Sequence, residues 1–146
     1  MVKDYRNGKN VEEEIIYTCY NDQAATITAG DLYFLSYEKD ADSLDPSARS
    51  TVTPCATSSV YRKIVVALED VADKAWGKFM YRGTCDVNVA SSVVIDDYIK
   101  GTNATQEASD ETTTISAYSF GIAVGDYVAA TGLAECILFG ERVTLG

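Results

Sequence analysis

Short runs rich in Val, Ile, Thr, Tyr and Phe occupy residues 14–20, 31–37, 60–67, 78–90, 92–99, 112–118 and 134–139, and each predicts a β-strand. Between them lie turn-prone clusters at Ala29-Gly30-Asp31, Asp40 to Pro46, Lys100 to Asn103 and Val124-Gly125-Asp126. From Cys85 to Val89 the alternation is clean: Cys85, Val87 and Val89 share one face, while Asp86 and Asn88 take the other. That pattern belongs to a half-buried strand. The fold class predicted is mainly β, compact and single-domain, of β-barrel or sandwich-like architecture.

One stretch of the pattern occurs twice. Residues 64–83 are echoed by residues 120–140, with Ala67 matching Ala123, Asp70 matching Asp126, and the closing Gly83 and Gly140 aligning after one inserted residue. In the first copy Val65, Leu68, Val71, Ala72, Ala75 and Trp76 recur at helical spacing. The second copy argues against a helix, because Gly125, Thr131 and Gly132 fall in the matching stretch and an interior glycine costs about 1 kcal/mol relative to alanine. Strand–loop–strand fits both copies. A repeated unit of this kind builds a scaffold and needs no reactive centre.

Three segments stand outside the strand pattern. Residues 1–13 are charged and nearly free of aliphatic side chains, which predicts a flexible N-terminal arm before a β-rich body of residues 14–146. The junction is abrupt, Glu12-Glu13-Glu14 passing directly into Ile15-Ile16-Tyr17. Residues 38–54 are polar and hold both prolines, so they are expected to be an exposed loop, and residues 100–111 a shorter one.

Composition narrows the class. A chain of 146 residues is long enough for a core without disulfides or metals, and no segment approaches the roughly 20 apolar residues that span a bilayer. The first residues carry charge but no apolar run follows, so a secretory signal is not expected and synthesis in a cytoplasm is the simplest inference. Twelve Lys and Arg against 22 Asp and Glu give a formal charge of −10, which disfavours nucleic acid as a partner because phosphate binding depends on cations.

Candidate chemistry is sparse. The chain has no histidine, so Ser-His-Asp and Cys-His arrangements and any His-containing zinc site are impossible. Ala117-Tyr118-Ser119-Phe120-Gly121 resembles a nucleophile elbow whose base is missing, which leaves Ser119 as a strand-end serine. Ser36-Tyr37-Glu38-Lys39 satisfies Ser-x-x-Lys without its partner motifs. Asp40, Asp42 and Asp45 hint at calcium, but Asp45 and Thr51 stand where an EF-hand loop needs glycine and glutamate. Asp96 and Asp97, adjacent on an expected strand, would point to opposite faces and form no dyad. Cys19, Cys55, Cys85 and Cys136 lack Cys-x-x-Cys spacing and are expected to be reduced core thiols, with one disulfide open to them in an oxidising medium. No catalytic residue, cofactor or metal site is expected.

Several segments together carry a resemblance: Thr-Ala-Gly-Asp from residue 28, Val-Ala-Leu-Glu-Asp-Val-Ala from 66, Gly-Lys-Phe-Met-Tyr-Arg-Gly-Thr-Cys-Asp-Val from 77, Phe-Gly-Ile-Ala-Val-Gly-Asp from 120 and Ala-Glu-Cys-Ile-Leu-Phe-Gly from 134. In this order they resemble the small head decoration, or cement, proteins of tailed bacteriophages over roughly residues 24–140. The resemblance implies a compact β-rich homotrimer on the outer face of the expanded capsid. There it would brace neighbouring major capsid subunits, with neither nucleic acid nor membrane as partner. Independently of the resemblance, a flexible arm ending in Ile15-Ile16-Tyr17 suits adding main-chain hydrogen bonds to a neighbour's sheet, which makes Asp4, Tyr5, Arg6, Lys9, Ile15, Ile16 and Tyr17 the capsid-contact candidates. The competing expectation is another virion or adhesive β module: a head-fibre anchor, a tail component or a carbohydrate-binding domain.

Overall fold

The computed structural model describes residues 14–39, 48–55, 63–90, 92–102, 106–110, 119–125 and 132–140. All regular structure among them is β. Nine strands form one mixed sheet: β1 (Ile15–Tyr20), β2 (Leu32–Lys39), β3 (Ala48–Pro54), β4 (Ile64–Ala67), β5 (Trp76–Val89), β6 (Tyr98–Gly101), β7 (Ala108–Asp110), β8 (Ser119–Ala123) and β9 (Gly132–Phe139).

The sheet closes on itself twice. Strands β1, β3, β2, β4 and β5 follow one another by hydrogen bonding, and β5 returns to β1, making a first ring. Strands β5, β7, β6, β8 and β9 repeat the arrangement, with β9 returning to β5. β5 is long enough to serve both: Trp76–Arg82 pairs with β1, and Arg82–Val89 pairs with β9. Gly83, with φ of +128°, sits at that handover, and Gly140, with φ of +81°, follows the last strand of the second ring. A positive φ of this size favours glycine, which has no Cβ to clash.

The duplicated sequence is therefore half of a larger structural repeat. Ala67 pairs with Phe79 in ring 1 and Ala123 with Cys136 in ring 2, the register reproducing the one-residue insertion between the copies. Leu32↔Val66 is matched by Tyr98↔Ile122, Tyr33↔Pro54 by Ile99↔Asp110, and Tyr20↔Trp76 by Asn88↔Leu133. The strand–loop–strand expectation for residues 64–83 holds, and the helical spacing has another cause. Val71 is turned inward by an isolated bridge to Ile27, while Leu68 and Ala75 pack on the two cores.

A turn recurs with the rings. Asp31, Ala75 and Asp97 each donate a backbone N–H three residues back, to Thr28, Ala72 and Val94 at 3.1, 3.1 and 3.0 Å. In each turn the third residue has positive φ: Gly30 at 94°, Lys74 at 62° and Asp96 at 75°. This is the type II pattern. Where the fourth residue is Asp, its carboxylate accepts the first residue's N–H, from Thr28 at 3.3 Å and from Val94 at 2.9 Å.

Two apolar clusters form the core among the described residues. Ring 1 encloses Cys19, Ile27, Tyr33, Leu35, Val52, Val65, Ala67, Val71, Phe79 and Tyr81. The second cluster joins Leu32, Phe34, Ile64, Val66 and Met80 to the ring 2 residues Val87, Val89, Ile99, Ala123, Cys136 and Leu138. Successive residues of β2 and β4 thus enter different clusters, so Ile64-Val65-Val66-Ala67 is a continuous apolar run buried on both faces.

Three sequence expectations are corrected. Residues 48–54, assigned to an exposed loop, form β3, which pairs with β2 from Tyr33↔Pro54 to Lys39↔Ala48 and buries Thr51 and Val52. Its polar residues hid a strand because pairing, and not local apolarity, fixes it, and Pro54 stands harmlessly at its end. Residues 100–111 are not all loop, since Lys100 and Gly101 close β6 and Ala108–Asp110 is β7. Residues 92–97, expected as strand, carry the third turn, and only Tyr98–Gly101 is extended. The expected strand at 112–118, the arm at 1–13 and the acidic cluster at Asp40, Asp42 and Asp45 lie outside the described residues.

Candidate interaction surface

Alternation in β1 sends Ile15, Tyr17 and Cys19 toward the ring 1 core and leaves Ile16, Thr18 and Tyr20 on the outside. Their cross-strand partners on β5 continue the outer face, Trp76 opposite Tyr20 and Lys78 opposite Thr18. The Tyr20 and Trp76 rings meet edge-on at 5.5 Å between centroids and 62°, a contact worth about 0.5–1.5 kcal/mol beyond burial. Arg49, delivered by β3, places its guanidinium carbon 3.9 Å from the Tyr20 ring centre. Trp76 remains 53% exposed and Ile16 43% exposed. Beside them Lys74 bonds Asp22 at 2.6 Å, and its ammonium is held above the usual lysine range chiefly by that contact. In a chain of net charge −10, this face carries tyrosine, tryptophan and arginine, the residue types enriched in protein contact surfaces.

The candidates chosen from sequence divide on this geometry. Ile16 lies on the outer face; Ile15 packs on the ring 1 core. Tyr17 is half-buried, edge-on to Tyr81 at 5.8 Å, and its hydroxyl accepts from Lys63 Nζ at 3.2 Å. Lys63 also stands 5.5 and 5.0 Å over the Tyr17 and Tyr81 rings, and its pKa is raised first by the Tyr17 hydrogen bond. Asp4, Tyr5, Arg6 and Lys9 lie outside the described residues. Sequence reasoning missed Tyr20, Trp76, Arg49 and Lys78. The alternation of Ile16, Thr18 and Tyr20 was the available signal for β1, whereas Arg49 comes from the strand taken for a loop and Trp76 from a run with helical spacing.

A cleft of about 270 Å³ lies where the rings meet, lined by Ala29, Gly30, Ala67, Leu68, Thr84, Cys85, Asp86 and Leu133. It is smaller than the roughly 300–1,000 Å³ of common small-molecule sites. Burial, before any neighbouring charge, pushes Cys85, Cys136 and Tyr33 up to about 12, so each is protonated at neutral pH. Ser119 opens β8 and is fully buried. Asp97, expected on a strand, is a turn residue only 7% exposed, with Asp96 in the turn beside it. Among the described residues no cluster of three His, Cys, Asp or Glu side chains could hold a metal ion.

The geometry defines an all-β scaffold of two fused strand rings with an outer face that carries tyrosine, tryptophan and arginine. No family model matches the chain, and no curated protein matches it. Among solved structures it is similar to the N base of head fiber gp8.5 of bacteriophage phi29, at 18% identity and a TM-score of 0.54, covering 90% of this chain and 99% of that one. Identity at that level shows a shared fold.

Proposed function

We propose that the chain is a structural protein of a tailed-phage head, made in the host cytoplasm and seated on the outer capsid surface, which acts by binding and not by catalysis. The observation that carries this reading is the fold shared, over nearly the full length of both chains, with the base of a phage head fibre. The decoration-protein resemblance of the sequence points the same way. In the finer reading the chain is a cement protein, a homotrimer that bridges neighbouring major capsid subunits and uses neither nucleic acid nor membrane. The face bearing Tyr20, Trp76, Arg49 and Ile16 offers the rigid aromatic anchors such a contact needs. Residues 1–13, with Asp4, Tyr5, Arg6 and Lys9, would add contacts beside it.

The phi29 likeness favours a second reading, in which the chain is the base that holds a projecting fibre to the head. One experiment separates the two. Heads lacking the chain, from the phage that encodes it, are titrated with purified protein and then heated. Cementing predicts saturable binding at lattice-limited stoichiometry and DNA retention to higher temperature. A fibre base predicts binding without that protection, and failure to bind at any concentration would overturn both.

A further inference from the structure

Cys85 on β5 and Cys136 on β9 are direct Cα partners, the only two of the four cysteines that face each other across a strand pair among the described residues. The positions that ring 1 fills with Tyr17 opposite Phe79 are filled in ring 2 by two thiols. Both pack on the same apolar cluster. The carbonyl of Glu135 accepts from Val124, the residue just past β8, at 2.9 Å, so the next residue, Cys136, turns its own backbone groups toward β5. Cys85 and Cys136 therefore form a hydrogen-bonded pair, a type with Cα atoms about 5.5 Å apart, within the spacing disulfides use. Their Cβ atoms, about 4.5–5.5 Å apart in such pairs, need to close by roughly 1 Å. Access is asymmetric: Cys136 is fully buried, whereas Cys85 is half-buried and lines the cleft between the rings.

We infer that Cys85 and Cys136 are a latent disulfide, closed when the chain meets a small oxidised disulfide such as oxidised glutathione. The Cys85 thiolate, reached through the cleft, attacks one sulfur of the small disulfide, forming a mixed disulfide and releasing one reduced thiol. Cys136 loses its proton, attacks the Cys85 sulfur and expels the second. Two protein S–H bonds become one S–S bond, and the small disulfide takes up two electrons and two protons. The product staples β5 to β9 and locks ring 2 shut. Cys19 has Gly77 opposite it and no thiol to join. Because burial raises both thiols, closure quickens as pH rises, about tenfold per unit between about pH 7 and 9.

The test is made on the native wild-type chain, equilibrated with oxidised glutathione, quenched in acid, then unfolded in guanidinium chloride at mildly acidic pH so that the buried thiols are exposed, alkylated with a maleimide and digested for mass spectrometry. Expected are a protein about 2 Da lighter, a linked pair of peptides holding Cys85 and Cys136, and alkylation of Cys19 and Cys55 alone. Cys85→Ser and Cys136→Ser should each abolish the link. Four alkylated cysteines, glutathione retained on Cys85, or a link that involves Cys19 or Cys55 would overturn the inference. The readout requires no capsid, so it stands or falls apart from the proposed function.

Discussion

Replacing Gly83 by alanine probes the point where one ring hands β5 to the next. Gly83 has φ of +128°, and an alanine Cβ there would meet Glu14 Cγ at 3.1 Å, Met80 Sδ at 3.1 Å and Met80 Cε at 3.2 Å. Those neighbours are flexible side-chain atoms that yield by a few tenths of an ångström. The main cost is the backbone, since a non-glycine residue in such a region is strained by about 1–3 kcal/mol. The lost entropy of the unfolded chain offsets about 0.4–1 kcal/mol of this. The net expectation is about 1–2 kcal/mol of destabilisation, or a Tm lower by about 2–8 °C for a chain of this size. Gly125→Ala is the control, because its added Cβ finds Glu135 Cβ at an ordinary 3.5 Å and its φ lies outside the glycine-favouring region; it should stay within about 0.5 kcal/mol of wild type. Equilibrium urea unfolding measures both, with a lower midpoint and unchanged slope expected for Gly83→Ala. If the two variants are equally stable, the handover does not depend on the glycine and the reasoning is refuted.

Other outcomes follow from the same structure. Phe79→Ala empties the fully buried centre of ring 1 and should cost about 3–5 kcal/mol in the same unfolding assay, a loss below 1 kcal/mol contradicting the assigned core. Trp76→Ala should leave the fold intact by circular dichroism yet weaken head binding about 30-fold or more, as loss of a contact hot spot worth about 2 kcal/mol does; unchanged affinity would remove this face from the interface. Deleting residues 1–13 should leave a folded chain that no longer co-sediments with heads, and full retention would end the role assigned to the arm. Asp31 has a pKa raised first by burial, with hydrogen bonds from Asn88 and Thr28 opposing and Asp70 adding to the rise. A carboxyl raised on folding contributes stability below its unfolded pKa and loses it as pH climbs through the folded one. Asp31→Asn should therefore gain stability relative to wild type as pH rises from about 4 to 7, and the opposite trend in urea midpoints would contradict the burial argument.

What was legible in the sequence was local. Alternation from Cys85 to Val89 placed Val87 and Val89 in the core and Asp86 outside, and the echo of residues 64–83 in 120–140 located two of the antiparallel pairs. The rest of the repeat was not legible because its positions are filled by different chemistry: Tyr17 and Phe79 answer to Cys85 and Cys136, and Trp76 answers to Leu133. Pairing geometry persists under such exchanges while residue identity does not. β3 is hard to read because Arg49, Ser50 and Thr53 are polar and, among its residues whose burial is described, Thr51 and Val52 are the buried ones. Residues 92–97 read as a strand because Val93, Val94 and Ile95 are β-formers, whereas the turn is set by Asp96 at positive φ and by the Asp97 carboxylate on the Val94 N–H. The outer face escaped notice for a related reason: Tyr20, Trp76 and Arg49 come from three strands separated in sequence and meet only once ring 1 closes.

The most direct test of the head-protein reading is to locate the chain on the particle. Virions of the phage that encodes it, purified and labelled with gold-conjugated antibody raised against residues 14–146, should carry label on the outer shell of the head. Virions with no label, and no copy of the chain in their denatured proteins, would contradict the account.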